Sequence, residues 1–169
     1  MQSPKLLMLN LAISLFALIL ISLSLSADGI GSDIIEGNAI VIDGDTIEIR
    51  GERIRLDAID APESRQTCLD AAEARYRCGQ KSAFVLADII ERGIISCQFK
   101  GRDRYKRIIA VCFRDDTNLN AWMVSQGWAV AFRKYGNDYI SQEDEARLAR
   151  RGMWAGSFDM PWDWRSQNN

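Results

Sequence analysis

Between positions 38 and 59 the chain alternates apolar and polar residues in short runs. The stretch 38–43 reads as a strand, and Asp43-Gly44 after it is a tight-turn dipeptide. Thr46-Ile47-Glu48-Ile49-Arg50 alternates as a half-buried strand should. Gly51-Glu52 makes a second turn, and 53–59 alternates again, so three short strands form a meander. Pro62 lacks a backbone donor and interrupts pairing beyond the third strand. From about 69 to 92 the period becomes helical, with Phe84, Leu86, Ala87 and Ile90 as the expected apolar face and Gly93 as the stop. Two more strands are predicted at 94–99 and 107–113, joined by the basic linker 100–106. Asn118 is placed to cap a short helix running to Gln126, with Leu119, Trp122 and Met123 inward and Gly127 ending it. A polar amphipathic helix follows within 139–151, starting near Ser141, with Glu145 in its acidic first turn. The stretch 154–164, rich in tryptophan, is expected to pack on the body, with the five tryptophans as core.

The order is three strands, a helix, two strands, then two helices. It predicts an α+β chain with a mainly β core: a five-stranded, partly open barrel of the oligonucleotide-binding (OB-fold) kind with three helices. No internal repeat is visible.

The first 26 residues differ in composition. Lys5 is their single charge, an apolar run spans 6–21, and small residues fill 22–27. Basic start, apolar middle and small residues at a cut site describe a secretory leader, with cleavage expected after Ser26. The alternative is an uncleaved membrane anchor at 6–22, near the short edge of the roughly 20 apolar residues that span a bilayer. The expected organisation is thus a leader at 1–26, a lead-in at 27–36 and one domain at 37–165. The mature protein is expected in the periplasm or medium.

Charge then restricts the partners. Removal of 1–26 takes away one lysine and no acid, leaving 20 basic and 23 acidic residues. Such a chain has no global attraction for a polyanion, so any nucleic-acid binding needs a local cationic site or a bound metal. Cys68, Cys78, Cys97 and Cys112 contain no close pair of the zinc-site kind, and export favours two disulfides. Three pairings are possible; Cys68–Cys78 within a loop and Cys97–Cys112 between neighbouring strands are preferred. Histidine is absent, which excludes a Ser-His-Asp triad, a Cys-His pair and a histidine-ligated zinc. Acid–base chemistry near neutral pH falls to carboxylates, lysine, tyrosine or water on a metal.

Three clusters carry candidate chemistry: Asp43-Gly44-Asp45-Thr46, the run from Arg55 to Glu63, and Asp103-Arg104-Tyr105-Lys106-Arg107. Singly, each has an ordinary explanation as a turn, a surface ion pair or a solvated loop. Together they offer carboxylates at strand ends (Asp45, Asp60), a further acid beyond a rigid proline (Glu63), and two arginines from separate strands (Arg55, Arg107). Hard cations such as calcium bind oxygen ligands, and guanidinium groups grip phosphate through paired hydrogen bonds.

Asp-Gly-Asp-Thr, then Arg-x4-Asp-x-Pro-Glu, then Asp-x-Tyr-x-Arg, in this order, resembles the staphylococcal nuclease family over about residues 37–156. The resemblance implies a calcium-dependent nuclease that cleaves DNA and RNA and leaves 3′-phosphate ends. It implies that Asp45, Asp60 and the Ala61 carbonyl bind calcium, that Glu63 is the general base or orients the attacking water, and that Arg55 and Arg107 grip the phosphate. Asp103 resembles a structural residue of the last loop. Ala61 stands where a threonine is common, and Lys106 where a glycine is common; a positive φ there would strain lysine. The lysine-rich loop of the known enzyme is replaced by one carrying Cys68 and Cys78.

Tyr105 and Tyr135 are candidates to stack on bases. No stable protein partner is implied, and a monomer is expected. Two other classes fit a histidine-free chain: a catalytically silent nucleic-acid- or protein-binding module on this barrel, and a carboxylate-pair glycosidase. A silent copy would be expected to lose the arginines or Glu63, yet all five charged positions are kept, and a glycosidase gives no reason for two converging arginines.

Overall fold

A computed structural model describes residues 34–91, 93–134 and 136–168. The expected leader at 1–26 and Tyr135 lie outside the described residues.

The meander is β1 (Ile34–Asp43), β2 (Thr46–Ile49) and β3 (Glu52–Leu56), each antiparallel to the next. β1 begins at Ile34, inside the segment expected as lead-in, because it pairs with a distant strand. After β3 the chain makes three two-residue strands: β4 (Ile59–Asp60), β5 (Cys68–Leu69) and β6 (Arg75–Tyr76). Helix α1 (Cys78–Ile90) follows, then β7 (Ile94–Arg102) and β8 (Ile108–Arg114). β7 pairs antiparallel with β1 and β8, and β8 pairs parallel with β3, so five strands close into a mixed barrel. Alternation delivers one face of each strand inward: Ile47, Ile49, Ile54, Leu56, Ile95, Ile108 and Ala110 are buried there, under Leu86 and Ile90 of α1.

α1 starts nine residues later than the periodicity suggests. The Asp70 carboxylate accepts the backbone N–H groups of Ala72 and Ala74 (2.8 and 2.9 Å), a turn that competes with helix. The resulting β5–β6 hairpin is closed by the Cys68–Cys78 disulfide. The buried face of α1 is Ser82, Leu86 and Ile90, four apart, which leaves Phe84 on the opposite side and 57% exposed. The expected place of Phe84 in the apolar face is therefore wrong.

β7 runs three residues into the basic linker through a bulge between Phe99 and Gly101, so the true connection is 103–107. Cys97 and Cys112 face each other in register and form the second disulfide.

β9 (Thr117–Asn118) leads into α2 (Leu119–Ser125), capped as expected by the Asn118 side chain, which accepts the Ala121 N–H at 3.0 Å. β10 (Val130–Ala131) pairs with β4, and α3 spans Ile140–Leu148. The acid in its first turn is Glu143 rather than Glu145; it is buried, accepting the Ala131 N–H and pairing with Arg133. A 3₁₀ turn (Gly152–Ala155) precedes a fourth helix, α4 (Pro161–Asn168), where three helices are expected.

The C-terminal segment is docked by backbone bonds between Leu69 and Ser157 (2.9 and 3.1 Å) and by a second apolar cluster. That cluster contains Cys68, Cys78, Val130 and Met153, with Trp128, Trp154 and Trp162 against it. All five tryptophans are half-buried rather than enclosed.

Candidate active site

The three motif clusters, from separate parts of the chain, reach one cleft of about 1010 Å³. Asp45, Arg55, Ala61, Glu63, Tyr105 and Arg107 all line it, and Asp60 lies buried behind its wall.

The β1–β2 turn carries Asp45. Gly44 beside it has no room for a Cβ, since one would run into Ser82 of α1. Asp45 is 4% exposed. One carboxylate oxygen accepts Arg55 Nη1 at 2.8 Å and the Thr46 hydroxyl at 3.0 Å; the other accepts the Ala61 N–H at 3.0 Å. Burial pushes the Asp45 carboxyl upward and neighbouring Asp43 adds to this. Arg55 and the hydrogen bonds from Ala61 and Thr46 oppose it without cancelling it.

Arg55 projects from β3 between two acids. Its Nη2 donates to Asp60 Oδ1 at 2.9 Å and to the Ile59 carbonyl at 3.3 Å. Asp60, at 0% exposure, sits in β4, which β10 pins from the other side. Burial disfavours the Arg55 charge, but Asp45 and Asp60 outweigh it and hold the guanidinium above its ordinary value.

Glu63 follows Pro62 and is held first by backbone. Its N–H donates to Gln66 Oε1 (3.2 Å), and its carbonyl accepts the Gln66 N–H (2.7 Å). A Cβ at Gly79 would collide with that carbonyl, so α1 begins in direct contact with the Glu63 backbone.

On the opposite wall, the 103–107 connection presents Arg107. Asp103 accepts the backbone N–H groups of Tyr105 and Arg107 (both 2.9 Å) and Arg107 Nε (2.7 Å). Burial raises the Asp103 carboxyl, but the Arg107 bonds and charge and the Tyr105 N–H outweigh it and leave it below the usual carboxylate range. Among the described residues the Arg107 Nη groups have no hydrogen-bond or ion-pair partner and are open to a ligand. Lys106 takes φ 66°, the left-handed conformation that glycine favours, yet Arg107 is not displaced, because Asp103 closes the turn. Tyr105 is 65% exposed, with Arg104 and Arg107 4.8 and 5.7 Å from its ring.

One site residue was missed in the sequence. Arg165, on α4, donates to both Asp60 oxygens (2.7 and 3.1 Å) and to Glu63 Oε1 (2.8 Å). Burial disfavours its charge, but the bonds to Asp60 and Glu63 prevail and raise it above the ordinary guanidinium value. Nothing local in Trp162-Asp163-Trp164-Arg165 distinguishes this arginine from a surface one; only the fold brings it in.

The donors suit a hard cation. Asp45 and Asp60 supply carboxylate oxygens that share one guanidinium, and no soft sulfur or imidazole ligand is near. Among the described residues no three His, Cys, Asp or Glu side chains are close enough together to hold a metal ion by themselves, so backbone carbonyl, water and substrate oxygens would complete the coordination.

A family model described as staphylococcal nuclease homologue matches residues 53–156. The succinoglycan biosynthesis protein ExoI of Rhizobium meliloti is 42% identical over 140 residues, 80% of this chain and 73% of its own. A micrococcal nuclease of Shigella flexneri is 36% identical over 143 residues (74% and 76%). An uncharacterized endonuclease of Haemophilus influenzae is 33% identical over 135 residues (75% and 70%). With the closed barrel and the three motif clusters around one cleft, these likenesses establish that the chain belongs to the staphylococcal nuclease family.

Proposed function

We propose that this protein is a calcium-dependent nuclease that hydrolyses phosphodiester bonds of DNA or RNA and leaves 3′-phosphate ends. The observation that carries the reading is the meeting of Asp45, Asp60, Glu63, Arg55 and Arg107 around one cleft. Relatives named as nucleases support it.

Asp45, Asp60 and the Ala61 carbonyl would hold calcium, which when bound supplies positive charge against the phosphate oxygens. Arg107 offers its two free nitrogens to the phosphate, and Arg55 adds positive charge from the facing wall. Glu63 takes a proton from water as that water's oxygen attacks phosphorus. The bond from phosphorus to the 5′ oxygen breaks, the 5′ oxygen takes a proton from solvent, and phosphate stays on the 3′ side. Tyr105 and its flanking arginines would receive a base and the adjoining backbone. A glycosidase needs two carboxyls that flank a sugar bond, whereas Asp45, Asp60 and Glu63 are each bonded to an arginine.

Two disulfides support an oxidising compartment and hence export after loss of residues 1–26. The purified protein is expected to degrade single-stranded DNA in calcium, to stop on chelation, and to release ends that a 3′-phosphatase must trim before a polymerase can extend them. Full cleavage in chelator, or directly extendable ends, would contradict the proposal.

A further inference from the structure

Glu63 is 39% exposed in its side chain and stands beside Asp60, a like charge. A glutamate so placed loses rotamer freedom when fixed, so it keeps one orientation only where a partner holds it. Among the described residues, Arg165 is the one side chain that bonds to its carboxylate. Arg165 Nη1 donates to Glu63 Oε1 (2.8 Å) and to Asp60 Oδ1 (3.1 Å), so a single nitrogen joins the two acids. Nη2 fixes the guanidinium on Asp60 Oδ2 at 2.7 Å, and Asp60 is itself buried and held by Arg55. Arg55, Asp60, Arg165 and Glu63 thus form one continuous chain of ion pairs.

The helix that carries Arg165 is anchored to the same loop that carries Glu63. Gln66, fully buried, accepts the Glu63 N–H and donates to the Asp159 carbonyl at 2.7 Å. Trp162 of α4 stacks on Phe132 at 5.8 Å. Asp159, Trp162 and Arg165 lie beyond residue 156, where the family match ends, whereas their partners Glu63, Gln66 and Phe132 lie within it.

We propose that Arg165 is a positioning residue of the nuclease site: it binds Glu63 Oε1 and so aims Oε2, which has no hydrogen-bond partner among the described residues, at the water to be deprotonated. The inference rests on the nuclease reading given above. Arg165 acts on the reaction through Glu63, and α4 is part of the active site rather than packing alone.

The test is a two-residue cycle over Glu63 and Arg165, read in two ways. Cleavage in saturating calcium should lose at least about tenfold in kcat in Arg165→Gln, with KM changed less than about twofold, since general-base work is worth roughly 10²–10⁴. Arg165→Lys should recover part of the loss through a single donor. In a Glu63→Gln background the second substitution should cost less than about twofold more, because residues acting as a unit are non-additive. In chelator, the melting temperatures of the four proteins should show the same coupling without any metal. Calcium is kept saturating for each variant, because removing Arg165 takes a cation away from both Asp60 oxygens. Independent, multiplying losses in kcat would overturn the inference, as would an undiminished kcat. If Arg165→Gln does not fold, Arg165→Lys carries the same cycle. Failure of the unsubstituted protein to cleave in calcium would instead sink the nuclease reading, and is seen separately in that control.

Discussion

Arg107 is bound twice by Asp103, four residues earlier: backbone N–H to Oδ1 at 2.9 Å and Nε to Oδ2 at 2.7 Å. The turn and the orientation of the Arg107 side chain are therefore set by the same carboxylate.

Asp103→Asn keeps an oxygen for the two backbone donors but loses the charged bond to Nε. It is expected to cost about 1 kcal/mol at neutral pH and to lower cleavage by about tenfold, one hydrogen-bonded placement. The sign of the pH dependence follows from the depressed Asp103 carboxyl. Its contribution is fully present above the ordinary value of 3.8 and disappears as pH falls through the lower, folded value. Melting curves of the two proteins should differ by a constant amount above pH 5 or so and converge in stronger acid. A gap that persists in strong acid would mean that the charge of Asp103 is not the source.

Lys106 pays a conformational cost at φ 66°. A left-handed residue other than glycine costs roughly 1–2 kcal/mol, and glycine costs roughly 0.4–1 kcal/mol through its freer unfolded chain. Lys106→Gly should therefore stabilise the protein by about 1 kcal/mol or less, with Arg107 still in place. Denaturant midpoints measure this; a destabilised variant would show that the lysine side chain makes a compensating contact.

Arg55 lies between two buried acids. Arg55→Met leaves Asp45 without a cationic partner and Asp60 with Arg165 alone. Breaking such a pair costs about 3 kcal/mol, or roughly 10 °C in a domain of this size. If Asp45 and Asp60 hold calcium, the ion should raise the melting temperature of Arg55→Met by more than that of the unsubstituted protein. Calorimetry in chelator and in excess calcium decides it, and equal shifts would speak against these two acids as the cation site.

The barrel was legible because its cause is local. A two-residue period, the Asp43-Gly44 turn and Pro62 each act within a few positions of themselves. The same holds for the Asn118 cap, whereas Asp45, Asp60, Glu63, Arg55 and Arg107 stand out through the order of motifs that resembles the staphylococcal nuclease family. What escaped was set at a distance. Asp70 and the Cys68–Cys78 link override a helical pattern over 69–77. Phe84 turns outward because the barrel takes the Ser82–Leu86–Ile90 face of α1. Arg165 reaches partners 102 and 105 residues away, and no periodicity spans that gap.

The two disulfides should separate stability from catalysis. Cys97–Cys112 joins adjacent strands that the sheet already holds in register, deep in the core and outside the lining of the cleft. Cys68–Cys78 closes a separation of 10 residues in the loop that follows Glu63, and Cys78 begins the helix whose Gly79 touches the Glu63 carbonyl. Chain entropy assigns a loop of that length about 2–3 kcal/mol. Replacing Cys68 and Cys78 by serine should lower both the melting temperature and kcat, because the same cross-link that limits the unfolded chain fixes the backbone under Glu63, the proposed general base. Replacing Cys97 and Cys112 should lower the melting temperature and leave kcat near its original value. Steady-state kinetics well below both transitions distinguishes the pairs; equal kcat in the two variants would show that Gln66 and α4 suffice to hold Glu63 without the nearer cross-link.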